Sequence, residues 1–294
     1  MALLVVALVT SLAANLIWRQ DLWLRQVETH RDVAQARLLV TAGVDWARAV
    51  LAEDARTSTT DHAGEPWATK VPAMPAEGGE VSGELRDEQA RWNLNNLIRA
   101  GRISAADVAI FRRLLYSLQL PPELASTLTD WLDADSEAEA DGAEDAYYLG
   151  RTPPYRSANR ELSDIDSLLR VRGYNRDVIE RLRPYVSVLP GYNPLNVNTT
   201  SAIVLAAVFP ALSSSEVQHL ITERDRIPIR DSADFNARLP RPELANLSFI
   251  HELDVRSNYF SVAVSARFGN AEISSTVLLD RHSIWPALVW QNFE

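Results

Sequence analysis

The first apolar run of the chain is unbroken. Ala2–Trp18 reads ALLVVALVTSLAANLIW and carries no charge. At about 1.5 Å per residue it spans roughly 26 Å, near the lower limit for crossing a bilayer. Trp18 and Trp23 stand where an interfacial aromatic belt would lie. Apolar positions then thin out into a stripe: Leu24, Val27, Ala34, Leu38, Ala42, Trp46 and Ala49 continue one helical face to about Leu51. The pattern predicts a single helix, its first half in lipid and its second half packed through that stripe on a globular body. A cleaved signal peptide, cut before Ala14, is the competing reading; it lacks the usual basic segment and does not explain why the helical pattern continues.

Beyond this helix the period changes twice. Thr57 to Gly83 is rich in Gly, Pro, Thr and Ser and reads as a long surface loop, followed by a short strand around Val81 to Arg86. From about Leu94 to Ile250 the pattern is helical. Ser104 caps SAADVAIFRRLLYSLQL and Pro121 stops it; PPELASTLTDWLDAD opens on proline; SDIDSLLRVRG has Ser163 as N-cap and Gly173 as C-cap. Further helices are expected in SAIVLAAVF, SSEVQHLITERD and PELANLSFI. NYFSVAVSARF and AEISSTVLLD then alternate like strands around Gly269-Asn270, the signature of a hairpin. A lone hairpin is marginal. The hairpin and the strand before residue 90 therefore share a small sheet on the N-terminal helix, with the helical block inserted within it. This gives an α+β organisation: residues 1–23 membrane helix, 24–93 first part of the sheet domain, 94–250 inserted helical domain, 251–294 C-terminal hairpin.

Composition narrows the function. The net charge is −10, and Lys70 is the only lysine. That balance argues against a phosphate-rich partner such as nucleic acid. With no cysteine there is no disulfide, thiolate metal site or cysteine nucleophile. The five histidines are scattered, and no nucleotide-binding or nucleophile-elbow motif occurs. No enzyme is expected.

One stretch concentrates charge. DWLDADSEAEADGAED, Asp130 to Asp145, holds eight carboxylates and no basic residue. A solvated acidic loop is the commoner meaning of such a run. Here it begins on a packed helix ending in Trp131 and Leu132, and it is followed by Tyr147, Tyr148, Pro153, Pro154 and Tyr155, rigid residues that disordered tails lack. Clustered hard oxygen donors in an irregular loop suit Ca²⁺; zinc would require nearby His or Cys. The spacing is not that of an EF-hand.

DEQARWNLNNL at Asp87–Leu97, DWLDAD…GAEDAYY…PPYRSAN between Asp130 and Asn159, and NVNTTSA at Asn196–Ala202, with ALLVVALVT at the start, occur in an order that resembles the general secretion pathway protein K family of type II secretion minor pseudopilins. The resemblance implies a pilin-like fold with a large helical insertion. It implies a single-pass inner-membrane anchor with the bulk of the chain in the periplasm. It also implies a place at the tip of a pseudopilus with other minor pseudopilins of the I and J types, and dealings with the inner-membrane assembly platform and prepilin peptidase, which cuts a basic leader before N-methylation. Met1 aligns with the first mature residue. Val5 stands where most pilins carry a glutamate that pairs with the subunit ahead, as suits a tip subunit. Calcium, two ions in the insertion, is implied too, with Asp133, Asp135, Glu144, Asp145 and Asn159 as ligands by motif match; Asp130 is less suited, and Glu137, Glu139 and Asp141 are read as solvated. A family disulfide near this loop is missing here, since the chain has no cysteine.

Two alternatives differ in class. One is a membrane-anchored periplasmic domain that recruits secreted substrates. The other is a DNA-uptake module, because SLLRVRGYNRDVIERL resembles a helix-hairpin-helix; it lacks the second glycine and any lysine, so a helical scaffold fits better. Asn93, Asn95 and Asn96 are read as turn and cap residues.

Overall fold

The structure is a computed structural model describing residues 1–76, 78–241, 244 and 253–293. Helix α1 (Ala2–Thr57) is a single element of 56 residues. Its first thirty residues, 2–31, are exposed throughout; the remainder lies on an antiparallel sheet.

That sheet has five strands, β1 (Val71–Ala76), β2 (Gly79–Asp87), β3 (Tyr259–Phe268), β4 (Ala271–Asp280) and β5 (Ala287–Phe293), in the order β1-β2-β3-β4-β5. β2 and β3 pair along nine registered positions, from Gly79↔Phe268 to Asp87↔Phe260, although the whole helical block separates them in sequence. The insertion thus leaves and returns at one end of adjacent strands. The expected hairpin is present, with Ala271 opposite Phe268 across Gly269-Asn270. The expected loop before it is not wholly a loop: β1 lies within it. β1 contains Pro72 and Pro75, which an interior strand would not tolerate, and it sits at the sheet edge. β5 forms the other edge and was not expected either.

The stripe of α1 that packs on the sheet is also a correction. Asp32, Ala36, Val40, Val44, Ala47 and Leu51 are buried. The face expected to be buried points outward: Leu24, Val27, Leu38 and Trp46 are 53%, 45%, 61% and 50% exposed, and Ala34, Ala42 and Ala49 are exposed too. The reason is steric. A helix lies close to a sheet where its side chains are small, and the buried stripe is mostly alanine and valine beside Gly43. A Cβ on Gly43 would stand 2.8 Å from Val264 Cγ1 on β3. A mid-helix glycine costs about 1 kcal/mol of helix propensity, and here it secures the close approach. Under the stripe lie Leu85, Phe260, Val262, Val277 and Leu279, with Trp67 edge-on to Phe260 at 5.1 Å.

The insertion has its own core around Phe111, Leu114, Leu115, Leu124, Leu128 and Tyr148. Its helices are α2 (Ala105–Ser117), α3 (Glu123–Leu132), α4 (Asp145–Tyr148), α5 (Arg176–Leu182), α6 (Ala202–Val208), α7 (Ser214–Arg226) and α8 (Ser232–Arg238). Ser104 caps α2 as expected. The segment Ile165–Arg170 is a 3-10 turn capped by Asp164, not by Ser163, because the Asp164 carboxylate reaches Ser167 N at 2.8 Å. PELANLSFI falls almost wholly outside the described residues. The three asparagines do more than cap. Asn93 Oδ1 accepts from Leu189 N, Asn95 Oδ1 from Leu162 N and Asn96 Oδ1 from Asn193 N. All three are buried, and together they pin segments that start about seventy to a hundred residues later. Buried backbone groups without such partners would cost about 1–3 kcal/mol each.

Candidate metal centre

The acidic stretch starts where α3 ends. Every residue from Leu124 to Leu132 is buried, so this helix is fixed by packing on all sides. Asp133 turns extended, with φ −71° and ψ 171°, its amide still bonded to Thr129 O. The chain then leaves the core and is drawn back by Asp130. Both Asp130 oxygens accept from Glu139 N at 3.2 Å. Gly142 lies so close that a Cβ there would stand 1.9 Å from Asp130 Oδ2. Asp130, fully buried, is therefore the post around which the loop folds. Arg172 Nη1 holds Gly142 O from outside at 3.0 Å.

The return limb begins at Glu144, the residue before α4. Tyr148 anchors that short helix, edge-on to Trp131 at 5.0 Å and tilted against Tyr155 at 5.3 Å. Beyond it Ser157 bridges two acids: its Oγ donates to Glu144 Oε2 at 2.9 Å and to Asp145 Oδ1 at 3.0 Å. Asn159 closes the loop on α3. It adopts φ +44°, a left-handed conformation that asparagine tolerates better than most residues. Its amide donates to Trp131 O and its Nδ2 to Asp135 O at 2.9 Å.

These anchors converge three carboxylates. One oxygen from each of Asp133, Asp135 and Glu144 lies within 4.8 Å of the other two. Asp133 Oδ1, Glu144 Oε1 and Asn159 Oδ1 are buried with no hydrogen-bond partner. Among the described residues no ion pair reaches the trio; the Arg156 guanidinium lies 3.5 Å from Asp145 Oδ2 instead. Burial raises the Asp133 carboxyl to about 7, with the neighbouring charges of Asp135, Glu144 and Asp130 adding to it. Burial also raises Glu144 and Asp130. Crowded carboxylates with unspent lone pairs and elevated pKa values are the electrostatics of a centre that lacks its counter-charge.

Of the five residues expected as ligands, the structure brings together Asp133, Asp135 and Glu144 and holds Asn159 beside them through its Nδ2 on Asp135 O, its Oδ1 unpartnered. Asp145 is spoken for by Ser157 and Arg156. Glu137, Glu139 and Asp141 are exposed, as expected. Sequence reasoning missed the holding roles of Asp130 and Ser157. The signal for Asp130 was its place inside an all-buried helix; Ser157 gave none. The all-oxygen donor set, in an irregular loop, fits a hard divalent cation such as Ca²⁺.

A family model described as type II secretion system protein K matches residues 90–191, and a second with the same description matches 195–262. The chain is 36% identical over 282 residues to type II secretion system protein K of Pseudomonas aeruginosa, covering 91% of this chain and 83% of that protein. It is 31% identical to the protein of that name from Klebsiella pneumoniae, covering 96% of this chain and 90% of that one. Its fold is similar to a chain in the crystal structure of the GspK-GspI-GspJ complex from the enterotoxigenic Escherichia coli type 2 secretion system. The TM-score is 0.78 at 24% identity, covering 92% of this chain and 99% of that one.

Proposed function

The chain belongs to the type II secretion system protein K family and is a minor pseudopilin, and from that premise we propose that it caps a periplasmic pseudopilus as a tip subunit whose crown is stiffened by calcium. The family is a structural component of a secretion system, and the chain acts here by assembly rather than by turnover. α1 is long and apolar enough to cross a membrane. In this reading it roots the chain in the inner membrane, with the sheet and the insertion in the periplasm, before prepilin peptidase and the assembly platform hand it to the filament.

The observation that carries the reading is the outward stripe of α1. Leu24, Val27, Leu38 and Trp46 continue the apolar surface of the membrane segment well past the bilayer, along a helix whose opposite face is already occupied by the sheet. An apolar stripe maintained in water beside a polar face marks an interaction site. Helices of I-type and J-type minor pseudopilins are its occupants. Val5 leaves no carboxylate in the membrane half to demand a partner ahead, which suits the foremost subunit.

When bound, calcium supplies positive charge that lets Asp133, Asp135, Glu144 and Asn159 hold the loop shut. Asp130 and Ser157 position that set. The ligands tie the end of α3 to the segment after α4, so the cation replaces in effect the disulfide that this chain cannot form.

Co-purification tests the assembly. The full chain should form a defined complex with I-type and J-type partners, and Trp46→Glu with Leu38→Glu should abolish it while leaving the thermal midpoint unchanged. A full chain that remains solitary would favour the substrate-recruiting reading and sink this one. For the crown, EDTA should expose the segment 130–160 to protease.

A further inference from the structure

A second group of acids lies far from the crown. Asp54 is in the last turn of α1, Asp61 in the loop after it, and Glu65 caps the 3-10 turn Pro66–Ala68. One oxygen from each comes within 4.8 Å of the other two. We propose that Asp54, Asp61 and Glu65 form a second divalent-cation site, where the pilin-like domain meets the returning end of the insertion.

The first argument is charge. Arg281, with 2% of its side chain exposed, reaches Asp54 Oδ2 at 2.6 Å and Asp61 Oδ2 at 2.5 Å. It is the only cation recorded on the trio among the described residues besides His62, whose Nε2 is 3.9 Å from Glu65 Oε1. With all three carboxylates ionised, one guanidinium would leave two negative charges uncompensated in a site where Asp61 and Glu65 are buried and the Asp54 side chain is 9% exposed. Uncompensated buried charge is costly, and a divalent ion supplies the missing amount.

The second argument is the state of each carboxylate. Asp54 Oδ2 is taken by Arg281. Asp61 Oδ2 is taken by Arg281 and by Ser257 N at 2.8 Å. Glu65 Oε2 accepts from His62 N at 2.9 Å and from Trp67 Nε1 at 2.7 Å. In each case the hydrogen bonds engage one oxygen and leave the other. Asp61 Oδ1 is buried without any partner, on a residue only 1% exposed. The bonds fix the three side chains, as supporting contacts orient ligands around an ion. The free donors are hard oxygens, which suits Ca²⁺ or Mg²⁺ rather than a soft metal.

The position gives the site a consequence. Asp61 N donates to Val255 O, and Asp61 O accepts from Asn196 Nδ2, which also reaches Asp87 and Ser257. An ion here ties the end of the membrane-rooted helix to the residues through which the insertion rejoins the sheet.

The test uses the full chain in detergent micelles. Asp133→Asn with Glu144→Gln silences the crown, so ions lost relative to wild type report the crown and the ion that remains reports this site. Native mass spectrometry in millimolar Ca²⁺ should find one ion per chain in that background. Tb³⁺ bound there should show tryptophan-sensitised emission, because Trp67 is bonded to Glu65. Trp67→Phe should lose most of that emission; ion occupancy in this variant is read by native mass spectrometry, because the substitution also removes the Nε1 bond to Glu65. Asp61→Asn and Glu65→Gln should each weaken binding at least tenfold. No bound ion in the crown-silenced background, with a native circular dichroism spectrum and the trio intact, overturns the proposal and means that a proton fills the role. In the wild-type chain, terbium emission left unchanged by Trp67→Phe would overturn it too, without any change to the crown.

Discussion

Two acidic clusters, one at the crown and one at the base of the insertion, are built from the same residue types and answer the same problem differently. At the base, Arg281 arrives from the end of β4 and offsets part of the charge of Asp54 and Asp61. At the crown, among the described residues, no side-chain cation lies on Asp133, Asp135 or Glu144, and the loop is held by Asp130, which accepts from Glu139 N, and by Ser157, whose Oγ donates to Glu144 Oε2. The lesson concerns what a buried carboxylate leans on. Where the counter-charge is covalent, removing it should damage the fold. Where the counter-charge must come from solution, removing one acid should relieve the fold and damage only the binding.

That contrast gives the largest expected effect. Arg281→Met in the presence of EDTA should destabilise the chain by about 3–5 kcal/mol, the usual cost of stripping one partner from a buried ion pair. Glu144→Gln under the same conditions should be neutral or stabilising, within about 1 kcal/mol, because it removes like-charge repulsion and leaves the Ser157 bond possible. Urea unfolding of both variants checks this. Equal losses at the two positions would erase the distinction.

The two clusters also differ in how far the sequence revealed them. The crown is legible because its acids are consecutive, its flanking tyrosines and prolines are rigid, and its landmarks match a family in order. The base is not, since Asp54 and Arg281 are joined only by the closure of a sheet whose strands come from opposite ends of the chain. The same distinction runs through the fold. The β3–β4 hairpin follows from local alternation. β1 was hidden by two prolines that only an edge position accommodates, and β5 by its sequence, ALVWQNF, in which apolar and polar positions do not alternate. The buried face of α1 was misjudged because large apolar residues were taken to mark the core, whereas the sheet selects Ala36, Gly43 and Ala47 for closeness and leaves Leu38 and Trp46 to a partner. Within the crown, the clustered acids could be read from the chain, but the roles of Asp130 and Ser157 depend on contacts across nine and thirteen residues that no spacing announces.

A smaller effect sharpens what shapes the crown. Gly142→Val places a side chain where Asp130 Oδ2 now stands. The loop must move off its post, at a cost of about 1–3 kcal/mol, typical of overpacking, and calcium affinity should fall at least about tenfold, equivalent to 1.4 kcal/mol. Gly150→Ala is the matched control: the nearest atom to its new Cβ would be Tyr147 O at 3.4 Å, so folding and binding should be almost untouched. Calcium titration of both variants decides it, and equal behaviour would mean that the Asp130 post does not shape the centre.

The smallest effect is a dependence on pH, and its sign separates the metal-free crown from the loaded one. Burial and neighbouring acids hold Asp133 at about 7 when no cation is present, above the ordinary value of 3.8 that the unfolded chain would show. As pH falls through 7, the metal-free native state therefore takes up a proton that the unfolded chain does not yet bind, and its stability rises. Calcium requires the ionised form, so the proton competes with it and apparent affinity should fall by up to about tenfold per pH unit below 7. Melting curves in EDTA and in calcium should consequently be far apart at pH 8 and converge toward pH 5.5, the EDTA curve moving up and the calcium curve down. A gap that stayed constant across this range would show that Asp133 is not a ligand. A gap that widened on acidification would show that partners within the protein, rather than a bound cation, hold the crown acids ionised, and this account of the crown would fail.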